Sequence, residues 1–138
     1  MNAVFVDTSA LLALLVPSDE AHARAKRVFA RLAAEETPLV TCSYTLVETY
    51  ALVGRRLGRA AVKQFRSEFA PVLDVVWVDA EAHERGLDLL EESKASLSLV
   101  DAVSFVTARS REIERVFAFD PHFTDAGFKA VSWASLPS

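Results

Sequence analysis

The feature that most constrains the fold is the alternation of short apolar runs with longer stretches of helical periodicity. Apolar runs near residues 3–6, 38–41, 75–78, 116–119 and 130–132 predict about five strands. Residues 10–34, 45–70, 81–92 and 99–111 have helical spacing between them. This alternation predicts an α/β fold of three layers, in which helices cover both faces of a mostly parallel sheet.

The length of the chain predicts a single domain covering residues 1–138. A chain of 138 residues lies within the usual size of one domain, about 100 to 150 residues. Apolar residues make up 51% of the chain and charged residues 25%, which is a globular balance. With only 4 Gly and 5 Pro, and no low-complexity segment, the sequence offers no linker.

Charge and hydropathy exclude some function classes. The net charge of −4 provides no global basic field, so a contact with nucleic acid must be local. The first residues lack the basic region of a signal peptide, and the apolar run at 10–16 is shorter than the ~20 residues that cross a bilayer. We therefore expect a soluble, cytoplasmic protein with no membrane contact.

Two carboxylates follow predicted strands. Asp7 ends the first strand and Asp120 ends the fourth. In open α/β sheets the ligand crevice lies outside the carboxyl ends of the strands, so residues placed there are the first candidates for chemistry. Asp7 alone is equally compatible with an ordinary turn residue at a strand end.

Two more acids, Glu48 and Asp101, lie at predicted helix starts among apolar residues. Each also completes a capping-box pattern, with Thr45 or Ser98 as the N-cap. Taken alone, either motif favours the cap. All four acids together, each beside an apolar run and each able to reach the same sheet edge, favour a shared site.

Four carboxylates in one cleft repel one another unless a cation neutralises them. Oxygen-only ligands favour Mg²⁺ or Mn²⁺ over zinc. The three histidines lack the spacing of a metal motif, and His122, close to Asp120, is predicted to have a packing or turn role. A local basic stretch, which could follow a phosphate backbone or be a solvated helix face, contains Arg55, Arg56, Arg59 and Lys63.

Four motifs in order resemble the acidic motifs of PIN domains, and most closely those of the VapC-type toxins. They are VDTSAL at 6–11, VET at 47–49, SLVDAVSF at 98–105 and FDPHF at 119–123. The resemblance runs from Asp7 to about Gly127. It implies a PIN-like fold and a Mg²⁺- or Mn²⁺-dependent endoribonuclease that hydrolyses RNA phosphodiester bonds, the toxin of a type II toxin–antitoxin pair.

Carried over by position, the resemblance makes Asp7 and Asp101 the principal metal ligands, with Glu48 and Asp120 completing the catalytic acids. Ser9 and Ser104 match small polar positions that would orient the carboxylates.

The sequence departs from the resemblance at Pro121, where relatives often carry a basic residue. This departure leaves open whether Asp120 or Asp125 completes the site.

The resemblance also implies inhibition by a small VapB-like antitoxin and a homodimer. The apolar content of the helices, more than one buried stripe requires, is the physical motive for a dimer. Two alternatives remain. The chain could be an inactive PIN-like module that binds RNA or protein, because acids are necessary but not sufficient for chemistry. A receiver-type phosphorylatable domain fits less well, because Asp7 has no acidic neighbour and no lysine follows a strand before Lys129.

Overall fold

The computed structural model describes residues 2–131 and places a parallel sheet at the centre of the molecule. Its order is β3-β2-β1-β4-β5, and every neighbouring pair is parallel. The strands are β1 (Val4–Val6), β2 (Leu39–Cys42), β3 (Leu73–Val76), β4 (Arg115–Phe117) and β5 (Lys129–Ala130). The α/β prediction with about five strands is confirmed.

Helices connect the strands and cover both faces of the sheet. In the described residues they are α1 (Thr8–Leu15), α2 (His22–Ala34), α3 (Ser43–Leu57), α4 (Arg59–Gln64), α5 (Ala80–Glu92), α6 (Leu99–Ser110) and α7 (His122–Asp125). A π-helical turn (Phe65–Phe69) and a 3₁₀ turn (Ala70–Val72) continue α4 to the start of β3. No helix within residues 2–131 is long and apolar enough to cross a membrane.

The alternation of side chains along β1 produces the three layers. Val4 and Val6 belong to a core with α1 and α2, whereas Phe5 belongs to a second core with α6 and α7. All three side chains are buried. Because each apolar side chain that is buried contributes about 1.5 to 3 kcal/mol, both faces of this central strand stabilise the sheet.

Some predicted boundaries are wrong by two residues. The third strand ends at Val76 rather than residue 78, and the amide of Val78 instead donates to Ser43 Oγ at 2.9 Å. Helix α3 begins at Ser43, ahead of the predicted start at Thr45. Gly58, with φ of +88°, separates α3 from α4, and that backbone angle disfavours any residue with a side chain.

Two further predictions concern the C-terminal third of the chain. The fourth strand ends at Phe117, two residues earlier than predicted. The last strand, predicted near residues 130–132, is β5 at Lys129–Ala130, and Ser132 lies outside the described residues.

Candidate active site at the carboxyl edge of the sheet

Asp7 is the most buried carboxylate of the predicted site. It follows β1 directly and is the N-cap of α1. Its Oδ2 accepts hydrogen bonds from the Ser9 amide at 3.2 Å and from Ser9 Oγ at 2.7 Å. Only 5% of the residue is exposed. The local turn and the helix cap therefore fix this side chain.

Burial raises the pKa of Asp7 from 3.8 to about 6. The loss of water around the charged form is the largest cause, and the nearby negative charge of Asp101 raises the pKa further. The hydrogen bonds from Ser9 act in the opposite direction and lower it. The charge of Asp101 is therefore near enough to Asp7 to disfavour a second negative charge there.

Ser9 joins Asp7 to the segment after β4. Its Oγ donates to Asp7 and accepts the Phe119 amide at 2.9 Å. Because Phe119 precedes Asp120, this pair of bonds holds the two acidic segments side by side. Ser9 therefore contacts Asp7, one of the carboxylates that the sequence predicts for the site.

Asp101 is both a helix cap and a member of the acidic cluster. Ser98 Oγ accepts from the Asp101 amide at 3.1 Å, and Asp101 Oδ2 accepts from the Ser98 amide at 3.2 Å, which completes the predicted capping box. The Asp101 side chain is 16% exposed. Within residues 2–131 its contacts with Ser98 and His122 both use Oδ2, so Oδ1 has no protein partner.

His122 lies between the other two acids. Its Nδ1 is 2.8 Å from Asp120 Oδ1 and 3.2 Å from Asp101 Oδ2. Neither approach has the angles of a hydrogen bond, so among the described residues this buried nitrogen has close carboxylates but no hydrogen-bond partner. Asp120 Oδ1 also accepts the His122 amide at 2.8 Å. The expected packing or turn role missed this contact with the acids, although the position two residues after Asp120 was a signal.

These contacts distinguish Asp120 from Asp125. Asp120 reaches Asp101 through His122, whereas Asp125 is exposed at the end of α7. The arrangement favours Asp120 as the acid that joins the cluster.

Glu48 lies on α3 and is partly exposed. Within residues 2–131 its side chain makes no hydrogen bond or ion pair. The predicted capping box with Thr45 is wrong, because Cys42 is the N-cap and no side chain caps the helix. Thr45 is fully buried and its backbone oxygen accepts from the hydroxyl of Thr8 at 3.4 Å. Packing against α1 thus overrides the local capping pattern.

Ser104 belongs to the same buried hydroxyl cluster. Its Oγ is 3.2 Å from Thr45 Oγ1 and 3.7 Å from Cys42 Sγ. In the described contacts it touches no carboxylate, so the expectation that it orients an acid directly does not match its position. Cys42 is buried and free.

The predicted basic stretch is exposed. Its four residues lie at the end of α3 and along α4: Arg55, Arg56, Arg59 and Lys63. Arg55 follows Glu48 by two helical turns, which places it on the same face of α3 about 10 Å further along the axis. Sequence analysis missed Arg24 of α2, whose guanidinium lies 5.4 Å from the centre of the Phe119 ring. Its helical context gave no signal of this position.

The donor set suits a hard divalent cation, because it consists of carboxylate oxygens. Within residues 2–131 no three ligand-type side chains are gathered closely enough to hold a metal ion as they stand. Asp7 and Asp101, however, repel each other in a poorly solvated place. A bound cation would relieve this repulsion, so the residues present fit a metal.

Comparison with known proteins defines the class first. The PIN domain family matches residues 4–129, which is nearly the whole chain. The chain belongs to the PIN domain family.

Individual relatives and solved structures are similar to this chain over nearly its whole length. The chain is 37% identical over 131 residues to the 23S rRNA-specific endonuclease VapC20 of Mycobacterium tuberculosis, covering 93% of this chain and 97% of that protein. The crystal structure of VapC20, described as a sarcin-ricin loop cleaving toxin, superposes with a TM-score of 0.83 and 34% identity over 94% of this chain and 99% of that chain. DNA-bound VapBC from Salmonella typhimurium matches with a TM-score of 0.70 and 16% identity, over 95% of this chain and 98% of that chain, which shows the fold alone.

Proposed function

We propose that this protein is a metal-dependent endoribonuclease and the toxin of a type II toxin–antitoxin pair. The observation that carries the proposal is the buried Asp7 at the carboxyl edge of the sheet, repelled by the nearby charge of Asp101, in a chain that is 37% identical over 131 residues to an rRNA-specific endonuclease. The receiver-type alternative is not supported, since the family match covers nearly the whole chain.

Membership of a nuclease family of this kind implies a divalent metal. We propose Mg²⁺ or Mn²⁺, held by Asp7 and Asp101, with Glu48 and Asp120 completing the site directly or through water. When bound, such an ion activates water for attack on phosphorus and neutralises charge on the phosphate oxygens.

The chain's own residues prepare this site. Ser9 holds the Asp7 carboxylate in one orientation with two hydrogen bonds, and the Ser98 amide holds Asp101 Oδ2. The free Oδ1 of Asp101 remains available for a cation or for substrate-side water. Orientation of ligands by neighbouring hydrogen bonds commonly contributes 10- to 100-fold in metal affinity or activity.

We propose RNA phosphates as the partners of the exposed cations. Arg55, Arg56, Arg59 and Lys63 extend from α3 along α4, and Arg24 lies on the other side, over Phe119. Together they would hold a strand across an edge that is itself acidic. Because the VapC20 relative acts on 23S rRNA, ribosomal RNA is the first substrate to test, and the cytoplasm is the expected location.

We further propose a homodimer and a small VapB-like antitoxin as protein partners. Val47 of α3 is 63% exposed and Trp77, directly after β3, is 72% exposed. Large apolar side chains with this exposure are typical of surfaces that a partner covers. An antitoxin segment bearing Arg or Lys could pair with the carboxylates, so that inhibition competes with metal or RNA.

Light scattering at micromolar concentration tests the dimer, and a monomer would contradict it. Sequencing beside this gene for a small open reading frame, and co-expression with its product, tests the antitoxin. Recovery of a stable complex that is inactive until the partner is removed is the expected result.

The activity itself is tested with purified protein, ribosomal RNA and Mn²⁺ or Mg²⁺, with chelator and Asp101→Asn as controls. Discrete cleavage that requires metal and Asp101 is expected. RNA binding without cleavage would instead support the inactive binding module.

A further inference from the structure

A small pocket lies against the acidic cluster, on the face of the sheet covered by α5, α6 and α7. Its volume is about 190 Å³, and its lining includes Leu89, Leu97, Phe105, Arg109, His122 and Asp125. We name it the base pocket. His122 belongs both to this pocket and to the cluster, because its Nδ1 lies within 3.2 Å of Asp101 and Asp120.

The walls of the base pocket are apolar, and its polar groups are held in place. Leu89 and Leu97 are partly buried and pack on the second core. Arg109 donates to the Ala126 carbonyl at 2.9 Å and lies over Phe105 and Phe128, 5.7 and 5.2 Å from the ring centres. A guanidinium fixed in this way offers donors at defined positions with little loss of side-chain freedom.

The size and chemistry of the base pocket suit a flat heterocycle. It is smaller than the ~300 Å³ lower limit of drug-sized ligand sites. Proteins recognise unpaired RNA bases by enclosing the ring faces in apolar or aromatic side chains and by bonding to the polar edges. The leucines and the His122 ring can enclose the faces of a base. Arg109 and the Asp125 carboxylate provide a donor and an acceptor for its polar edge.

We propose that the base pocket binds a nucleobase adjacent to the phosphodiester bond that is cleaved, and that it determines the base preference at that position. The inference rests on the proposed ribonuclease function. Proximity supports it, since His122 lines the base pocket and its Nδ1 lies within 3.2 Å of Asp101 and Asp120. An apolar side chain of a protein partner would use the leucines but would not require the fixed arginine and the carboxylate.

The test is the sequence profile of cleavage sites on a short RNA pool that is randomised at every position. Leu97→Trp fills the base pocket and Asp125→Asn changes its polar edge. Leu15→Trp is the matched control, because Leu15 lines a different pocket, between α1 and α2. Circular dichroism and the melting temperature show that each variant folds, and binding of the purified antitoxin is measured in parallel.

The wild type is expected to prefer particular bases at one position beside the cut. Leu97→Trp should reduce that preference at least about tenfold at this position alone, as loss of one base contact does. Asp125→Asn should change which base is preferred, and Leu15→Trp should keep the wild-type profile.

Two results would overturn the inference while the nuclease function stands. One is an unchanged profile in a folded Leu97→Trp protein, and the other is a wild type that cuts with no base preference beside the bond. If Leu97→Trp weakens only antitoxin binding, the base pocket is a protein-docking site and the inference is wrong. Absence of any cleavage by the wild type, of the pool and of ribosomal RNA alike, would overturn the proposed function as well.

Discussion

The acidic site has two corners that differ in their contact with water. The inner corner is Asp7 with Ser9, where the carboxylate is 5% exposed and its pKa is raised to about 6. The outer corner is Asp120 with His122, whose side chains are 35% and 32% exposed. Burial disfavours the charged form of the inner carboxylate, whereas water solvates the outer one. The difference indicates that the inner corner depends more on a bound cation.

The largest expected effect is on catalysis when either proposed principal metal ligand, Asp7 of the inner corner or Asp101 beside it, loses its charge. Asp7→Asn and Asp101→Asn should each lower RNA cleavage by at least about a thousandfold, because a metal centre contributes several kcal/mol to such a reaction. Rates under single-turnover conditions measure this. Substantial RNase activity in either purified variant would remove the basis for the metal site.

The second prediction concerns pH and stability without metal. Asp7 holds its proton more tightly in the folded state than in the unfolded state. The part of the stability that this contributes is fully present near and below pH 4 and is lost as the pH rises through about 6. The raised pKa corresponds to about 3 kcal/mol of unfolding free energy. Urea unfolding in chelator across this range measures the loss.

Matched variants separate the two corners in that experiment. Asp7→Asn should remove the decline between about pH 4 and pH 6 and be the more stable protein at pH 8, since no charge remains to be buried. Asp120→Asn should keep the decline. If Asp120→Asn removed the decline in stability instead, the pH dependence would belong to Asp120, and the contrast between the corners would be wrong.

A smaller effect is expected from the hydroxyl that holds the inner corner together. Ser9→Ala removes one bond to Asp7 and the acceptor for the Phe119 amide. Metal affinity, measured by calorimetry, should fall about 10- to 100-fold. Ser104→Ala deletes a hydroxyl that contacts Thr45 instead, so equal losses in the two variants would contradict the positioning role of Ser9.

The smallest effects belong to the cations outside both corners. Neutralising one residue that contacts a phosphate should reduce the slope of the logarithm of the binding constant against the logarithm of salt concentration by about 0.7, the value per contact for a single strand. The variants are Gln substitutions of Arg24, Arg55, Arg56, Arg59 and Lys63. Arg111→Gln, at the end of α6 remote from the site, is the control. If the slope is unchanged after the four residues of α3 and α4 are replaced, these residues form a solvated helix face and do not contact RNA phosphates.

Sequence reasoning predicted the sheet, its helices and the local positions of Asp7 and Asp101 for a physical reason. Strand and helix periodicities are local, and Asp7 and Asp101 lie where local rules place them, after a strand and in a helical first turn. The capping box of Asp101 was correct because Ser98 is exposed and free to cap.

The errors came from contacts between distant elements. Thr45 matched a cap but is buried against α1 and α6, so α3 starts earlier. His122 and Arg24 reach the site only through tertiary placement, beside Asp101 and over Phe119. No spacing along the chain encodes these approaches, because the residues they join are far apart in sequence.

The hydrogen bond from the Phe119 amide to Ser9 spans 110 positions, and β1 pairs with β4 across a similar separation. During translation at about 5 to 20 residues per second, Asp7 therefore emerges on the order of ten seconds before Asp120 can join it. The nascent chain has no complete active site over that interval. Under the proposed ribonuclease function, RNA near the translating ribosome is exposed to cleavage only once nearly all of the chain has been synthesised, and the proposed inhibitor has that time to arrive.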